Sequence, residues 1–320
     1  MDTIVIGDVH YNNKKFTPMI CDTLQHIKAA IANIESDKQI IFLGDILDRA
    51  MLTPDTVQYL TKYMQSLFTD AGVTEIYVIR GNHDYNSAYQ MNTLQFLENT
   101  YYDNSERIHV INTPTCLTIS GKQALLVPHT YSGYKLESKY DMVLAHLGLP
   151  GLQVTDTYVY NKMDSILWEK ENAPAYLIIG HIHTPVQKKQ ILDTEVWCTG
   201  NITPITWGES NDKRFILHID STGAIAPIPI QYTQVVTVDT IEKAHAYNTK
   251  NNVAVRLVTS EDVSAEDAML VKDIVVTKER KHTQYEAVST MDDAVTLFCK
   301  TMHVNKEELL PILKEVGFHD

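Results

Sequence analysis

Hydrophobic residues along this chain fall into short β-branched runs separated by segments of helical period. Six such runs predict buried strands, at 3–6, 39–43, 75–79, 123–127, 141–145 and 176–179. Between the first three, apolar residues three or four apart predict helices over 19–34 and 54–68, the second opened by Thr53 as N-cap and Pro54. This alternation predicts an α/β sandwich with mixed sheets, flanked by helices.

The pattern changes after residue 229. Runs at 234–238, 253–258 and 274–277 predict further strands, and none of them ends in chemically distinctive residues. The last thirty residues predict helices, because capping boxes beginning at Thr290 and Asn305 each precede spaced apolar residues. We therefore predict three domains: a large α/β domain over 1–230, a small β-rich domain over 231–285 and a helical tail over 286–320.

Composition narrows the class of protein. The chain has 320 residues, 44% hydrophobic and 21% charged, as soluble globular proteins have. No run of about eighteen apolar residues and no basic leader occurs, so we expect no membrane span and a cytoplasmic location. The four cysteines lie far apart without a C-x-x-C pair, which argues against a disulfide framework and a thiolate zinc site.

Charge limits the partners of the chain. Asp and Glu number 40 against 27 Lys and Arg, which gives a formal net charge of −13. A negative net charge has the wrong sign for a protein that binds nucleic acid by charge alone. A basic cluster at 278–282 is more typical of a solvated loop than of a nucleic-acid contact.

Five of the six predicted strands end in polar residues, most of which are of types that bind metals or transfer protons. These residues are Asp8 and His10; Asp45, Asp48 and Arg49; Asn82, His83 and Asp84; His146; and His181 and His183. The carboxyl ends of strands in α/β sheets are where sites assemble, because the loops there converge over a rigid platform. The pattern therefore predicts one site at this edge.

The residue types indicate the chemistry of that site. Asp, His and Asn offer oxygen and imidazole ligands, which suit Mn, Fe or Zn better than Ca or a thiolate-bound metal. Alternate residues of an extended segment point to the same side, so Asp8 with His10, and His181 with His183, can each offer two ligands. Seven ligands are too many for one tetrahedral ion, so we expect two ions that share a bridge.

The ordered motifs D-x-H, G-D-x-x-D, G-N-H-D, H and G-H-x-H, over about residues 4–209, resemble the calcineurin-like metallophosphoesterases. Their fold is a β-sandwich flanked by helices. The stretch Thr199-Gly200-Asn201, the later Gly208-Glu209, the compact G-H-x-H and the appended domains are similar to the SbcD-type DNA repair and recombination nucleases. The length suggests a short, phage-like member.

The resemblance implies two divalent ions, with manganese expected and Mg, Fe or Zn as alternatives. One ion would be held by Asp8, His10, Asp45 and His183, and the other by Asp45, Asn82, His146 and His181. Asp45 would bridge the two ions, and a hydroxide that they activate would be the nucleophile. His83 would protonate the departing 3′ oxygen, with Asp84 orienting its ring.

Three further residues keep open roles. Asp48 could brace His83 or the metal ligands, and Arg49 could bind a phosphate oxygen or form a salt bridge. His129 also ends an apolar run and could compete with His146 for the metal. Because His146 is followed by Gly148, as in the family, we expect His129 behind the ligands or on the substrate side.

The resemblance implies a two-metal DNA nuclease with exonuclease activity, and with endonuclease activity as a further expectation. Its partners would be DNA, an SbcC-type coiled-coil ATPase docked on the helical tail, and a second copy of the chain. The small β-rich domain would lie on the DNA side, and the setting would be the cytoplasm of a bacterium or a phage-infected host. One alternative is a small-molecule or protein phosphoesterase, which Asp48, Arg49 and the negative charge favour. Another is a non-catalytic recombination scaffold, against which the complete ligand set argues.

Overall fold

The structure is a computed structural model that describes residues 1–98, 107–155, 158–209, 211–248, 252–260, 263–269 and 271–276. The predicted helical tail and the basic cluster at 278–282 lie outside these described residues. The α-helices are α1 (Thr17–Ala32), α2 (Pro54–Ala71), α3 (Ile241–Asn248) and α4 (Ala265–Ala268), and short 3₁₀ helices span Thr93–Leu97 and Lys170–Asn172.

The strands, numbered along the chain, are β1 (Asp2–Ile6), β2 (Lys38–Phe42), β3 (Val73–Ile79), β4 (Tyr85–Asn86), β5 (Met91–Asn92), β6 (Ile108–Ile111), β7 (Thr115–Ile119), β8 (Lys122–Val127), β9 (Tyr134–Lys135), β10 (Met142–Ala145), β11 (Gln153–Thr155), β12 (Tyr158–Val159), β13 (Ile166–Leu167), β14 (Tyr176–Ile179), β15 (Val186–Ile191), β16 (Thr194–Cys198), β17 (Phe215–Ile219), β18 (Ile225–Pro229), β19 (Gln234–Val238), β20 (Val253–Thr259) and β21 (Asp273–Val276).

Two six-stranded mixed sheets form the body of the molecule. The first has the order β18-β17-β1-β2-β3-β6, in which β1, β2, β3 and β6 run parallel and β17 is antiparallel to both its neighbours. The second has the order β15-β16-β14-β10-β8-β7, with four parallel central strands and an antiparallel strand at each edge. This confirms the predicted mixed α/β architecture.

The two sheets face each other, and alternation along the strands explains the continuous hydrophobic runs. Val5 and Ile41 of the first sheet share a core with Leu144 and Ile178 of the second. Their neighbours in sequence point the opposite way: Ile4 and Phe42, for example, are buried with residues of α1 and α2. Central parallel strands covered on both faces lose the polar alternation of half-exposed strands.

The six predicted strands all form, with ends within two residues of those expected. Helix α2 begins at Pro54 as predicted, and the Thr53 hydroxyl caps it by accepting the Thr56 backbone N–H at 3.2 Å. Helix α1 begins and ends two residues before the predicted 19–34.

The chain after Pro229 forms a three-stranded parallel sheet, β19-β20-β21, with α3 and α4 in the two crossovers. Its strands lie within one residue of the predicted ranges, whereas α3 and α4 are additions to the predicted β-rich unit. Val235 and Ala254 join the core that α1 and α2 form, so this sheet lies against the main body. The boundary at 230/231 stays a prediction. Among the described helices, none is both long and apolar enough to cross a membrane.

Candidate metal centre

The loops that follow β1, β2, β3, β10 and β14 meet at one edge of the two sheets. Backbone bonds fasten them together: the His10 N–H donates to the Asp45 carbonyl at 2.9 Å, and the Gly180 N–H donates to the Ala145 carbonyl at 3.0 Å. The structure brings all seven predicted ligand residues into one cluster at this edge.

Three of the predicted ligands adopt left-handed backbone angles. His10, Asp45 and His181 have φ of 52°, 45° and 69°. For residues other than glycine this conformation costs about 1–3 kcal/mol each, and it persists where the surroundings over-determine it, most often at functional sites. The surrounding structure thus holds these loops in a strained backbone conformation that directs the three side chains into the site.

At one end of the cluster, Asp8, His10 and His183 place their ligand atoms within reach of a single ion. The His10 Nε2 lies 3.1 Å from the His183 Nε2. The other ring nitrogen of His183, Nδ1, lies 3.3 Å from the Glu209 carboxylate. Since Nδ1 faces an anionic acceptor, it carries the proton, and the His183 Nε2 offers its lone pair to the cluster.

At the other end, Asp45, His146 and His181 form a second such group. The Asn82 Oδ1 joins it, 3.1 Å from the His146 Nε2 and 3.0 Å from the His181 Nδ1. The His146 Nδ1 donates to the Leu43 carbonyl at 2.7 Å, so Nε2 is the His146 ring nitrogen that faces the cluster.

Asp45 lies between the two groups. Its Oδ2 is 3.3 Å from the His146 Nε2 and 3.8 Å from the His10 Nε2. A carboxylate in this position can reach an ion in either group, as the expected bridge would require.

The electrostatics of the cluster call for cations. Asp8 and Asp45 are buried, and neither forms an ion pair with a lysine or arginine in the described part of the chain. Buried carboxylates are normally paired or bound to a metal, because burial without compensation is costly. Burial raises the pKa of Asp8 to about 6, and the neighbouring Asp45 adds to the shift.

Two of the histidines, His10 and His181, are in a protonation state that suits metal binding. Burial lowers the pKa of His10 and of His181 to about 3, so both are neutral at physiological pH and keep a free lone pair. The buried His10 Nδ1 has no hydrogen-bond partner among the described residues. Imidazoles and carboxylates that converge without a balancing lysine or arginine fit Mn²⁺, Fe²⁺ or Zn²⁺, and the two groups together provide for two ions.

His83 lies beside the cluster and is held at two points. Its backbone N–H donates to the Asp45 Oδ1 at 2.8 Å, and its ring Nδ1 donates to the Asp48 carbonyl at 2.6 Å. Its ring meets that of His10 edge-on, with centroids 4.9 Å apart. This leaves the His83 Nε2 as the nitrogen that can exchange a proton.

Asp84 does not orient the His83 ring, which corrects the expectation drawn from the sequence. The Asp48 carbonyl holds that ring instead. The buried Asp84 carboxylate accepts backbone N–H groups from Leu47 and Gly81, each at 2.9 Å, and a longer bond from Ile46 at 3.4 Å. Asp84 therefore ties the turn after β3 to the loop after β2, because both loops need an acceptor for N–H groups that no strand satisfies.

Asp48 and Arg49 border an open cavity of about 520 Å³ next to the cluster. The residues that line it are Asn13, Asp48, Arg49, Ala50, Asn82, His83 and Tyr85. The Arg49 side chain is 80% exposed, and its Nε lies 3.8 Å from the Asp48 carboxylate. The cavity reaches the predicted ligand Asn82 and the predicted acid His83, so a molecule bound in it would lie beside both.

His129 lies behind the cluster and away from this cavity. It is only 3% exposed, and its Nε2 lies 3.5 Å from the Asp164 carboxylate. Asp164 also lies 3.1 Å from the His181 Nε2. The position after an apolar run indicated that His129 is near the site, whereas no motif or period marked Asp164.

Arg214 is a second residue that the sequence analysis missed. It is buried, and its guanidinium lies 3.5 Å from Glu209, the carboxylate that holds the His183 ring. Glu209 also accepts a hydrogen bond from the Asn201 amide at 2.7 Å. The Thr199-Gly200-Asn201 and Gly208-Glu209 motifs thus meet beside His183, one of the predicted ligands.

Among solved structures, the chain is similar to a dimetal phosphatase from Danio rerio, with 11% identity over 72% of this chain and 96% of that chain and a TM-score of 0.46. It is also similar to the nuclease MPE from Pseudomonas putida, with 16% identity over 71% of this chain and 86% of that chain and a TM-score of 0.33. A predicted phosphoesterase from Streptococcus pneumoniae shows 13% identity over 72% of this chain and 95% of that chain, with a TM-score of 0.30. Among curated proteins, no sequence matches.

The comparison with protein families gives one clear match. Residues 1–185, more than half of the chain, match the calcineurin-like phosphoesterases. The matched region carries all seven residues of the cluster described above. The chain belongs to the calcineurin-like phosphoesterase family and is a metal-dependent hydrolase of ester bonds.

Proposed function

We propose that this chain is a two-metal DNA nuclease that hydrolyses phosphodiester bonds and works with manganese. The observation that carries the proposal is the convergence of seven ligand residues in two groups, with Asp45 within reach of both. The choice of DNA rests on the motif resemblance to SbcD-type nucleases, including Glu209, which braces His183.

In the proposed ligand set, Asp8, His10, Asp45 and His183 would hold one dication, and Asp45, Asn82, His146 and His181 would hold the other. When bound, a pair of dications acidifies a water molecule and neutralises charge on a phosphodiester oxygen. Mg, Fe and Zn are the alternatives to manganese that the same oxygen and imidazole donors admit.

The other steps fall to side chains of this chain. His83, in its protonated form, donates from Nε2 to the departing 3′ oxygen, because its Nδ1 is already tied to the Asp48 carbonyl. Arg49, exposed at the cavity, offers a guanidinium for a phosphate oxygen. The Asp84 carboxylate holds the loops after β2 and β3 together by accepting hydrogen bonds from the Leu47 and Gly81 backbone N–H groups.

The negative charge of the chain shapes the proposed assembly. A net charge of −13 disfavours binding of DNA by charge alone. Two dications would add about four positive charges at the reacting phosphate. We propose that an SbcC-type ATPase bound to residues 286–320, and a second copy of the chain, complete the DNA-binding surface in a bacterial or phage-infected cytoplasm.

A second candidate function is hydrolysis of a small phosphoester or a phosphoprotein. Two observations favour it: the exposed Arg49 beside Asp48 at the cavity, and the acidic balance of the chain. A small substrate needs no extended basic surface, so the charge poses no difficulty for this alternative.

The test is cleavage of end-labelled linear duplex DNA by the purified chain with Mn²⁺, with Mg²⁺ and with a chelator. A chromogenic phosphodiester and a phosphomonoester are assayed in parallel, and Asp8→Ala is the inactive control. Shortening of DNA that requires Mn²⁺ and disappears in the control is the expected result. Hydrolysis of the phosphomonoester with DNA left intact, also after addition of the ATPase, would establish the second candidate. An inactive chain that still binds the ATPase would indicate a scaffold.

A further inference from the structure

The cluster of Tyr160, Asp164 and His129 beside His181 has no role in the chemistry proposed above. The His181 ring has two nitrogens with different surroundings. Its Nδ1 faces the Asn82 Oδ1 at 3.0 Å, on the side of the other ligands. Its Nε2 lies 3.1 Å from both the Tyr160 hydroxyl and the Asp164 Oδ2.

Asp164 is well suited to fix the proton of His181. The Tyr160 hydroxyl donates to the Asp164 Oδ1 at 2.7 Å, which leaves the Asp164 Oδ2 to accept from the imidazole. An imidazole nitrogen next to a carboxylate keeps its proton, so the lone pair of His181 must be on Nδ1. His129 is buried on the other side of the same carboxylate, with its Nε2 3.5 Å from the Asp164 Oδ2.

The backbone also fastens Asp164 to the predicted ligand His146. Gly148, two residues after His146, donates its N–H to the Asp164 carbonyl at 3.0 Å and accepts the Ile166 N–H at 2.9 Å. A Cβ at position 148 would overlap the Tyr160 ring. The glycine that follows His146 in the motif thus makes room for the tyrosine that holds Asp164.

We propose that Asp164 is a positioning residue for the second metal site: it holds the His181 ring with Nδ1 toward Asn82, and Tyr160 holds Asp164. The inference rests on the proposed ligand set, in which His181 binds one of the two dications. Carboxylates that brace a metal-bound histidine fix its tautomer and orientation and raise its basicity, and their loss costs about 10- to 100-fold in metal affinity.

The experiment is equilibrium dialysis of the full chain against Mn²⁺, with bound metal counted by mass spectrometry. Asp164→Ala is expected to weaken one of two binding steps about 10- to 100-fold and to leave the other unchanged. Tyr160→Phe is expected to weaken the same step less. Glu169→Gln, which alters an exposed carboxylate paired with Lys135, is the matched control and should change neither step.

A double-mutant cycle separates positioning from general damage. In a His181→Ala background, the further change Asp164→Ala should have no effect, because the group that it positions is gone. The proposal would be overturned if Asp164→Ala lowers the Mn²⁺ affinity equally in both backgrounds or in neither. A third tightly bound Mn²⁺ that disappears with Asp164→Ala would also overturn it. If the alanine variant fails to fold, Asp164→Asn keeps the shape, removes the charge and takes its place.

The two proposals fail in different ways. If His181→Ala leaves both Mn²⁺ ions tightly bound, the ligand set itself is wrong and the positioning role falls with it. If His181→Ala loses one ion while Asp164→Ala and Asp164→Asn bind two normally, only the positioning role is wrong.

Discussion

Replacing Asp84 by alanine should destabilise the fold, because this carboxylate accepts hydrogen bonds from the two loops that follow β2 and β3 and so holds them together. Its strongest bonds are to the backbone N–H groups of Leu47 and Gly81, both at 2.9 Å in a fully buried setting. The third bond, to Ile46 at 3.4 Å, is too long to contribute much.

The magnitude follows from these contacts. Each buried N–H left without an acceptor costs about 1–3 kcal/mol, so two give about 2–6 kcal/mol. Burial and the charge of Asp45 raise the pKa of Asp84 to about 7, so removal of the carboxylate also relieves a repulsion. We therefore expect Asp84→Ala to lower the free energy of unfolding by about 2–4 kcal/mol, in the lower part of that range. Asp84→Asn, which keeps one acceptor, should cost less.

Urea unfolding followed by circular dichroism measures this loss. Asp193→Ala, a change at an exposed carboxylate in the turn after β15, should leave the unfolding midpoint unchanged. If Asp84→Ala unfolds at the same urea concentration as the unaltered chain and loses only turnover, Asp84 acts on His83 and the interpretation of its contacts is wrong.

Three further predictions concern His83, His146 and the C-terminal residues 290–320. His83→Ala should keep both metals, because the hydrogen bond from residue 83 to Asp45 is made by the backbone N–H, while turnover should fall about 10²- to 10⁴-fold. Metal content and kcat are measured together on the same preparation, and a loss of metal would contradict the prediction. Burial alone would lower the pKa of His146, but the charges of Asp45 and Asp8 outweigh burial and raise this pKa to about 9, so a metal ion that binds here must displace a proton. The affinity for Mn²⁺ should therefore rise up to about tenfold per pH unit between pH 6 and about 9, and calorimetry in buffers of different ionisation enthalpy should detect the released proton. An affinity that does not change with pH would refute this prediction. Deletion of residues 290–320 should abolish binding of the ATPase on a sizing column without loss of Mn²⁺ binding, and an unaltered complex would show that the tail is not the docking segment.

The fold was predictable where the sequence signal is local. Strands such as β1 and β14 are buried on both faces and appear as unbroken apolar runs, and Thr53 with Pro54 marks the start of α2. Strand β15 was not predictable in this way, because it is an edge strand that exposes much of its Val-Gln-Lys-Lys-Gln-Ile sequence. Strand β18 contains Pro227 and Pro229, which argue against a strand except at the sheet edge that it occupies.

The residues of the site likewise include some that the sequence could identify and some that it could not. Residues that face the cluster directly, such as Asp8 and His181, belong to short motifs at strand ends and could be identified from spacing. Residues that support them, such as Asp164 and Arg214, are distant in sequence and carry no motif of their own. Asp84 lies within a motif, yet its contacts depend on how the turn after β3 folds over the loop after β2, which spacing alone does not determine.

The central claim is that two ions bind on either side of Asp45. The most direct test is anomalous X-ray scattering from crystals of the chain grown with Mn²⁺. The account predicts two peaks about 3.5–4 Å apart, with the Asp45 carboxylate between them and with His10 and His183 on one side and His146 and His181 on the other. A single peak, or a peak between His129 and Asp164 with none beside Asp45, would contradict it.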